Sequence, residues 1–283
     1  IAPDVVLLAA HCVDEYLLTY GFGTIDGVGW SRQADLTEFT EGGKSWPDDT
    51  VVAWDWVQHP DWDVDATSSS ASPGVTDWND LAILFLEDPV DEDFIYLLQD
   101  DELDFLEEGV DLEVVGWGQQ VATDSPWDPP PEGSYGIKQM GQSHLAELGD
   151  TEFKVGEEVE DVRKCHGDSG GPSFLRLEDD SVRLVGVTSH AYDDTDCRET
   201  GGVDTRVDAY LDWIDEELRS RCEDGSRAWC DQEGLPVPPT PLEEVEPPVE
   251  EGRFAACGCS NTDGAALAWM LVLLPAMVLR RRI

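Results

Sequence analysis

The sequence predicts an all-β fold that is followed by one helix and a tail. Residues 1 to about 205 consist of short apolar runs separated by Gly, Pro, Asp and Ser, which is typical of the strands of a sandwich or barrel. The run RVDAYLDWIDEELRS then places its apolar residues on one face, which predicts a helix over 206–220. Residues 234–252 are rich in Pro and Glu and predict an extended, stiff linker.

The composition limits the classes of function. With 283 residues, 41% of them hydrophobic, and 11 tryptophans, the chain can build a substantial core and leave room for a tail. Its 17 Lys+Arg against 62 Asp+Glu give a formal net charge of -45, so a phosphate backbone would be repelled and we expect no nucleic-acid partner. A heavily solvated surface on an exported protein is favoured over a specific acidic binding site.

The cysteines indicate an oxidising compartment. The chain has 7 of them and no CxxC pair, which argues against zinc-ribbon and thioredoxin-like sites and for disulfides. Cys222 and Cys230 bracket a short polar loop and predict a local disulfide. Because the number is odd, one cysteine lacks a partner.

The tail ends in an apolar run and a group of arginines. The run Ala265–Leu279 is short beside the roughly 20 residues of a spanning helix. The arginines that follow it favour a cytoplasmic carboxyl end, which would leave the preceding residues outside the cell. A buried core helix is the alternative, but such a helix would not follow a Pro/Glu linker, so a membrane tail is preferred.

Three short stretches carry the residues of nucleophilic catalysis. They are AAHC with His11, WNDLAILFL with Asp80, and CHGDSGGP with Ser169. Acyl transfer needs a nucleophile, a base and an acid that orients the base, and the chain order His, Asp, Ser is that of the chymotrypsin type of triad. Taken alone, His11 would be structural and Asp80 a surface carboxylate. The glycines Gly167 and Gly170 permit a tight turn with free N–H groups, as an oxyanion hole requires.

These blocks resemble the chymotrypsin/trypsin-like serine proteases, and QHPDW, GWG, TSHA and YLDWI match further family blocks. The resemblance covers residues 1 to about 220 and implies two antiparallel β-barrels with the active site between them. The expected domains are the first barrel without its N-terminal strands (1–104) and the second barrel with the terminal helix (105–220). They are followed by the disulfide loop (221–233), the linker (234–253) and the tail with its Cys-Gly-Cys sorting motif, short transmembrane helix and arginine run (254–283).

The resemblance also implies a role for each matched residue. Ser169 would be the nucleophile, His11 the base and acid, and Asp80 the orienting carboxylate. The N–H groups of Gly167 and Ser169 would form the oxyanion hole. A Cys165–Cys197 disulfide would brace the specificity pocket. Substrate-binding roles fall to these residues: Arg163, Ser189, His190, Ala191 and Gly202. Polypeptides would be the substrates.

The start of the chain differs from the family pattern. Only eleven residues precede Cys12, so the resemblance implies a fragment that lacks the first strands of barrel one and the partner of Cys12. Ile1 is then not the activating amino terminus. In the family that amine pairs with the aspartate beside the nucleophile, here Asp168.

The specificity pocket departs from the trypsin pattern as well. Arg163 lies six residues before Ser169, where the family has Asp when basic side chains are cleaved, so cleavage after Lys or Arg is disfavoured. Arg163 would either pair with an acidic P1 side chain or point outward and be neutralised, with Asp204 as a plausible partner. We expect no cofactor, although the carboxylate-rich stretch between His11 and Asp80 suits a structural calcium ion.

The end of the chain resembles the MYXO-CTERM type of bacterial surface-sorting signal, with Cys-Gly-Cys, a short apolar helix and an arginine run. It implies processing near Cys257 or Cys259 by a sorting enzyme and display at the cell surface or in the envelope. A plain membrane anchor is the alternative. Two other functions remain open: a catalytically silent protease-like binding module, and a spacer or adhesin that the three catalytic blocks argue against.

Overall fold

Two β-sheets and a long helix form the part of the chain that the structure, a computed structural model, describes: residues 1–17, 27–40, 46–64, 74–121, 131–192 and 200–239. All of them belong to one unit, Ile1–Pro239. The predicted linker and sorting tail, with Cys257, Cys259 and the apolar run, lie outside the described residues.

The first sheet has the strand order β1-β4-β3-β2. Its antiparallel strands are Val5–Leu8 (β1), Gly29–Trp30 (β2), Val51–Gln58 (β3) and Ala82–Leu86 (β4). Every residue of β4 is buried, since Ile83 and Phe85 enter one core and Ala82, Leu84 and Leu86 another. The continuous apolar run that starts after Asp80 therefore becomes a strand with both faces covered.

The second sheet closes on itself. Its strands are Tyr96–Leu97 (β5), Asp111–Gly116 (β6), Gln139–Leu148 (β7), Glu152–Val155 (β8), Pro172–Arg176 (β9), Val182–Ala191 (β10) and Gly202–Arg206 (β11). The antiparallel order β11-β8-β7-β6-β9-β10 returns to β11, which pairs with β10 as well, so these strands form a barrel. β5 pairs with β10 in parallel. The second sheet therefore begins at Tyr96, before residue 104, where the first barrel was expected to end.

The helix Leu211–Glu223 follows a single 3-10 turn, Asp208–Tyr210. Its buried Ile214 and Leu218 pack in the core that also contains Phe85 of the first sheet and Leu184 of the second. The sheets and the helix thus share one hydrophobic core.

A disulfide loop follows the helix. Cys222 and Cys230 are joined with their Cα atoms 5.8 Å apart, in agreement with the local pairing predicted from the sequence. Inside the loop, the buried Arg227 donates to both oxygens of Asp4, at 2.7 and 3.2 Å, and Trp229 N donates to Asp4 at 3.1 Å. The loop therefore fixes the helix end against the start of the first sheet.

Two expectations concern features that the described residues do not contain. No helix among the residues described is long and apolar enough to cross a membrane. Within the same residues, no group of three or more His, Cys, Asp and Glu side chains is arranged to hold a metal ion, and the expected calcium stretch extends into residues 18–26, 41–45 and 65–73, which are outside the description.

Candidate active site

His11 lies in the 3-10 turn Ala10–Val13, directly after β1. The turn directs both the backbone and the ring of His11 toward Asp80: His11 N donates to Asp80 Oδ1 at 2.8 Å, and His11 Nδ1 lies 2.6 Å from Asp80 Oδ2. The histidine is thereby bonded to the same carboxylate at two points, which fixes the ring orientation.

Asp80 is held just before β4. Its carboxylate is 1% exposed, and Oδ2 also accepts a hydrogen bond from Ser189 Oγ at 2.6 Å. Thr205 Oγ1 donates to the backbone carbonyl of Asp80 at 3.1 Å. The preceding Asn79 adopts φ 56°, and Tyr210 OH donates to its side-chain oxygen at 3.0 Å, which anchors this unusual turn to the helix region.

The pair is electrostatically coupled. Burial alone would lower the pKa of His11, but the hydrogen bond and charge of Asp80 and the adjacent Cys12 outweigh it and raise the pKa well above its ordinary value. Burial would raise the pKa of Asp80, but the hydrogen bonds from His11 and Ser189 reverse that effect and hold the pKa low. Asp80 therefore remains ionised beside an imidazole whose protonated form it stabilises.

Ser169 lies in a loop between left-handed glycines. Gly167 has φ 92° and Gly170 has φ 78°, in the region where only glycine is unstrained. Gly170 N donates to Thr188 O at 2.8 Å and Thr188 N donates to Gly171 O at 2.9 Å, which fastens the loop to β10. The exposed Ser169 lines a cavity of about 640 Å³ and is accessible there.

The serine loop and the His11 segment are in contact. A Cβ atom on Gly170 would lie 3.4 Å from Cys12 Sγ and from Leu8 Cβ, so Ser169 neighbours the turn that carries His11. His11 Nε2 faces Cys12 Sγ at 3.6 Å, and in the described structure no hydrogen bond joins it to Ser169. The structure thus brings all three predicted residues to one place, with only the histidine–aspartate bond formed.

The loop also carries free backbone donors. Among the residues described, the N–H groups of Gly167 and Ser169 donate no hydrogen bond, whereas those of Asp168, Gly170 and Gly171 do. A Cβ atom on Gly167 would lie 2.4 Å from Tyr135 Cε2, so the Tyr135 ring packs directly on the glycine. Only glycine fits the conformation and the space at this position.

Both carboxylate oxygens of Asp168 accept hydrogen bonds from backbone N–H groups. Its Oδ1 accepts from Gly118 N at 2.7 Å and its Oδ2 from Cys165 N at 2.8 Å. Burial raises the pKa of Asp168, and the two backbone hydrogen bonds oppose that effect. Asp168 lines a cavity of about 420 Å³. The amino group of Ile1 lies elsewhere and donates to Val5 O at 3.0 Å.

The charges near the expected specificity pocket differ from the prediction. Asp204 pairs with Lys164, whose Nζ lies 2.9 and 2.6 Å from the two carboxylate oxygens, so Arg163 as the partner of Asp204 was wrong. Arg163 Nη2 instead donates to the carbonyls of Glu157 and Glu158 at 3.0 and 2.8 Å. Its backbone turns the side chain toward its own loop, and the next residue supplies the buried cation.

Residues of the expected substrate wall surround the ends of β10 and β11. Ala191 is exposed, Gly202 is buried opposite it in the ladder, and Ser189 is used by Asp80. His190 Nδ1 lies 2.8 Å from Ala191 O, and its ring stacks on Trp78 with centroids 4.0 Å apart.

Sequence reasoning missed Glu152. This fully buried carboxylate accepts from Thr76 N at 2.6 Å and Thr76 Oγ1 at 2.8 Å, and lies 3.4 Å from His190 Nε2. It thus fastens both the segment before Asp80 and the His190 ring to β8. No local pattern distinguishes Glu152 from the many other acidic residues of the chain.

His59, the histidine of the QHPDW block, packs edge-on against Tyr210 and Trp213. Cys165 is disulfide-bonded, and its predicted partner Cys197 lies outside the described residues.

Comparison with known proteins extends the geometric result. The family model described as Trypsin matches residues 1–214. Melanization protease 1 of Drosophila melanogaster is 48% identical over 69 residues, a match that spans 22% of this chain and 16% of that protein. Chymotrypsin-C of Mus musculus is 29% identical over 224 residues, 76% of this chain and 74% of that protein, and the Rattus norvegicus protein is 27% identical over 225 residues.

A solved structure shares the fold. It is titled neuropsin, a serine protease expressed in the limbic system of mouse brain, and it superposes with a TM-score of 0.52 at 17% identity. The match covers 76% of this chain and 84% of that one. The fold is therefore the chymotrypsin-like arrangement of two β-barrels with a C-terminal helix, as the sequence predicted.

Proposed function

The chain belongs to the trypsin family, and on that premise we propose that it is a serine endopeptidase that acts through Ser169, His11 and Asp80. The observation that carries the proposal is the 2.6 Å contact of His11 Nδ1 with the buried Asp80, next to an exposed serine between left-handed glycines. A histidine with a purely structural role has no need of an exposed serine in a neighbouring glycine-rich loop.

The chemistry follows from the tautomer that Asp80 selects. With Nδ1–H donated to Asp80, His11 Nε2 keeps its lone pair and removes the proton of Ser169 Oγ as that oxygen attacks a peptide carbonyl. The resulting imidazolium is stabilised by Asp80. His11 then returns the proton to the leaving amine, and water attacks the acyl-enzyme by the same route.

The oxyanion of each tetrahedral intermediate needs hydrogen-bond donors. The N–H groups of Gly167 and Ser169 are suited to this role because no described acceptor uses them. A lost donor of this kind costs about 100- to 1000-fold in kcat. The bond between His11 and Ser169 would form on substrate binding, since catalytic hydrogen bonds of this type tighten in the complex.

The test is labelling of the full-length protein with a fluorophosphonate probe, together with hydrolysis of a mixed peptide library. We expect label on Ser169 and hydrolysis in the wild type, and neither in Ser169→Ala. Hydrolysis that persists in Ser169→Ala would overturn the assignment of the nucleophile. A folded wild type that is as silent as Ser169→Ala in both assays would favour the binding-module function.

Asp168 is proposed as the acceptor of an N-terminal ammonium group, as in the family that the chain resembles. Its partly buried carboxylate and the cavity of about 420 Å³ beside it suit such a cation. Asp168→Asn should abolish peptide hydrolysis and leave the unfolding transition cooperative. Full hydrolysis by this variant would argue against the assignment.

The proposal for the location rests on the sequence of the tail. We expect export, processing near Cys257 or Cys259 and display on the cell envelope, with residues 234–253 as a stalk. Cell fractionation and mass spectrometry of the carboxyl-terminal peptide test this. An unprocessed tail on protein from the cytosolic fraction would contradict it.

A further inference from the structure

A buried ion pair lies beneath the end of β11, next to the serine loop. Gly202 and Asp204 are two residues apart on the strand, so they project to the same face. Gly202 has no side chain, and a Cβ atom at this position would lie 3.5 Å from Lys164 Cβ, so the strand end packs on the lysine. Lys164 also lines the cavity of about 420 Å³ beside Asp168.

The register of the sheet connects this pair to Ser169. Asp204 is opposite Thr188 in the β10–β11 ladder, and Thr188 O accepts the hydrogen bond from Gly170 N, the residue after Ser169. Lys164 lies at the other end of the same loop, five residues before Ser169. Asp204 therefore lies on the strand next to the one that holds the serine loop, and Lys164 belongs to the segment that leads into that loop.

All donors of the lysine are used. An ammonium group has three N–H donors, and Lys164 Nζ lies 2.8 Å from Ser173 Oγ and 2.9 and 2.6 Å from the two oxygens of Asp204. The lysine and aspartate side chains are 4% and 0% exposed. A Cβ on Gly186 would lie 2.7 Å from Asp204 Oδ2, so this backbone packs closely on the carboxylate and restricts its movement. Neither charge is available to a ligand.

We propose that the closed Lys164–Asp204 pair is the floor of the P1 site and gives the peptidase a preference for uncharged P1 side chains. The inference rests on the peptidase activity proposed above and names its substrate class. The charges of Lys164 and Asp204 are paired with each other, so a charged P1 side chain, acidic or basic, would be buried beside them without a partner of its own. Burial of an unpaired charge is strongly unfavourable. Of the two alternatives for Arg163, the proposal adopts the one in which this side chain is neutralised away from the P1 site, because Arg163 is bonded to carbonyls of its own loop.

The charges of the pair also predict what its variants do. Lys164→Met leaves the Asp204 carboxylate without its cation, which favours a basic P1 side chain. Asp204→Asn leaves the ammonium of Lys164, which favours an acidic one. A pair with a merely structural role would lower the activity toward every peptide alike and leave the P1 preference unchanged.

The experiment measures kcat/KM of the full-length protein for fluorogenic peptides that differ only in P1: Leu, Phe, Asp and Lys. We expect the wild type to prefer Leu or Phe over both charged residues by about tenfold or more, the size of a single well-placed pocket contact. The ratio of P1-Lys to P1-Asp should rise by about tenfold in Lys164→Met and fall by about tenfold in Asp204→Asn. Arg183→Met, which removes a buried cation paired with Glu102, is the matched control and should leave that ratio unchanged.

The wild-type profile decides the matter even if both single variants unfold. Replacing both charges, as in Lys164→Met with Asp204→Asn, removes the unpaired charge and should restore folding with an uncharged preference. Cleavage led by Asp that is lost in Arg163→Met, or cleavage led by Lys, would overturn the inference while fluorophosphonate labelling of Ser169 still supports the peptidase. Absence of both labelling and cleavage in the folded wild type would instead remove the proposed function and this inference with it.

Discussion

Ser189 donates a hydrogen bond to the buried carboxylate of Asp80, and its removal should change both stability and the pH dependence of the rate. Asp80 is 1% exposed and accepts from His11 N at 2.8 Å, from His11 Nδ1 at 2.6 Å and from Ser189 Oγ at 2.6 Å. Ser189→Ala deletes the last of these without changing the backbone of β10.

The magnitude follows from the charge and burial of the acceptor. A hydrogen bond to a buried ionised group contributes about 1.5–3 kcal/mol, so the free energy of unfolding should fall by about that amount. The carboxylate of Asp80 then interacts more strongly with the His11 ring, which raises the pKa of His11 further. In the proposed mechanism only neutral His11 accepts the proton of Ser169, so kcat/KM near neutral pH should fall by about tenfold, and the acidic limb of its pH profile should move to higher pH.

The assay is the pH dependence of kcat/KM for a peptide with an uncharged P1 residue, combined with urea unfolding. Thr205→Val is the matched control, because Thr205 is also buried but donates to the backbone carbonyl of Asp80 at 3.1 Å. Thr205→Val should lose about 1 kcal/mol of stability and keep the acidic limb of the pH profile where it is in the wild type. The reasoning would be refuted if the acidic limb of Ser189→Ala coincided with that of the wild type, or if it moved by the same amount in Thr205→Val.

Three further predictions concern separate parts of the fold. Arg227→Met leaves the buried Asp4 without its cation and should reduce the free energy of unfolding by about 3–5 kcal/mol in urea titration, and a loss below about 1 kcal/mol would contradict the pairing. Gly167→Ala should abolish most peptide hydrolysis, because the new Cβ would lie only 2.4 Å from Tyr135 Cε2. Gly109→Ala is the control: this glycine has a similar φ of 90° but nothing within 4 Å, so the variant should lose only about 1–2 kcal/mol of stability and remain active. The pKa of His11 is raised in the folded state, so the stabilisation that protonated His11 contributes is complete below the ordinary pKa of 6.5 and is lost as pH rises through the folded-state pKa. The difference in unfolding free energy between wild type and His11→Gln should therefore shrink from pH 6 to pH 9. A difference that grows over this range would contradict the prediction.

Some features were predictable because they depend on local patterns. The 3.6-residue period of the apolar residues predicted the helix that is observed at Leu211–Glu223, after a 3-10 turn. The apolar run after Asp80 is one of those that predicted strands, and the structure has β4 there. The Cys222–Cys230 pair encloses so short a loop that few alternatives exist.

Other features depend on which distant residues meet, and composition gives no means to choose among them. With 62 acidic residues in the chain, nothing local marks Glu152 as the carboxylate that holds Thr76, or Asp204 as the partner of Lys164. The pairing of Arg163 with Asp204 was wrong by one position for this reason. Arg163 and Lys164 are neighbours in the chain, but only the Lys164 side chain is buried and reaches Asp204.

The buried ion pairs change what the net charge of -45 implies for the site. The buried carboxylates of Asp4 and Asp204 and the partly buried Glu102 each have a Lys or Arg partner from the 17 in the chain. Surface charges are screened by salt over about 10 Å, whereas buried pairs are screened much less. The selectivity for a P1 side chain should therefore follow the local balance at Lys164 and Asp204, which is neutral, and not the strongly acidic character of the whole chain.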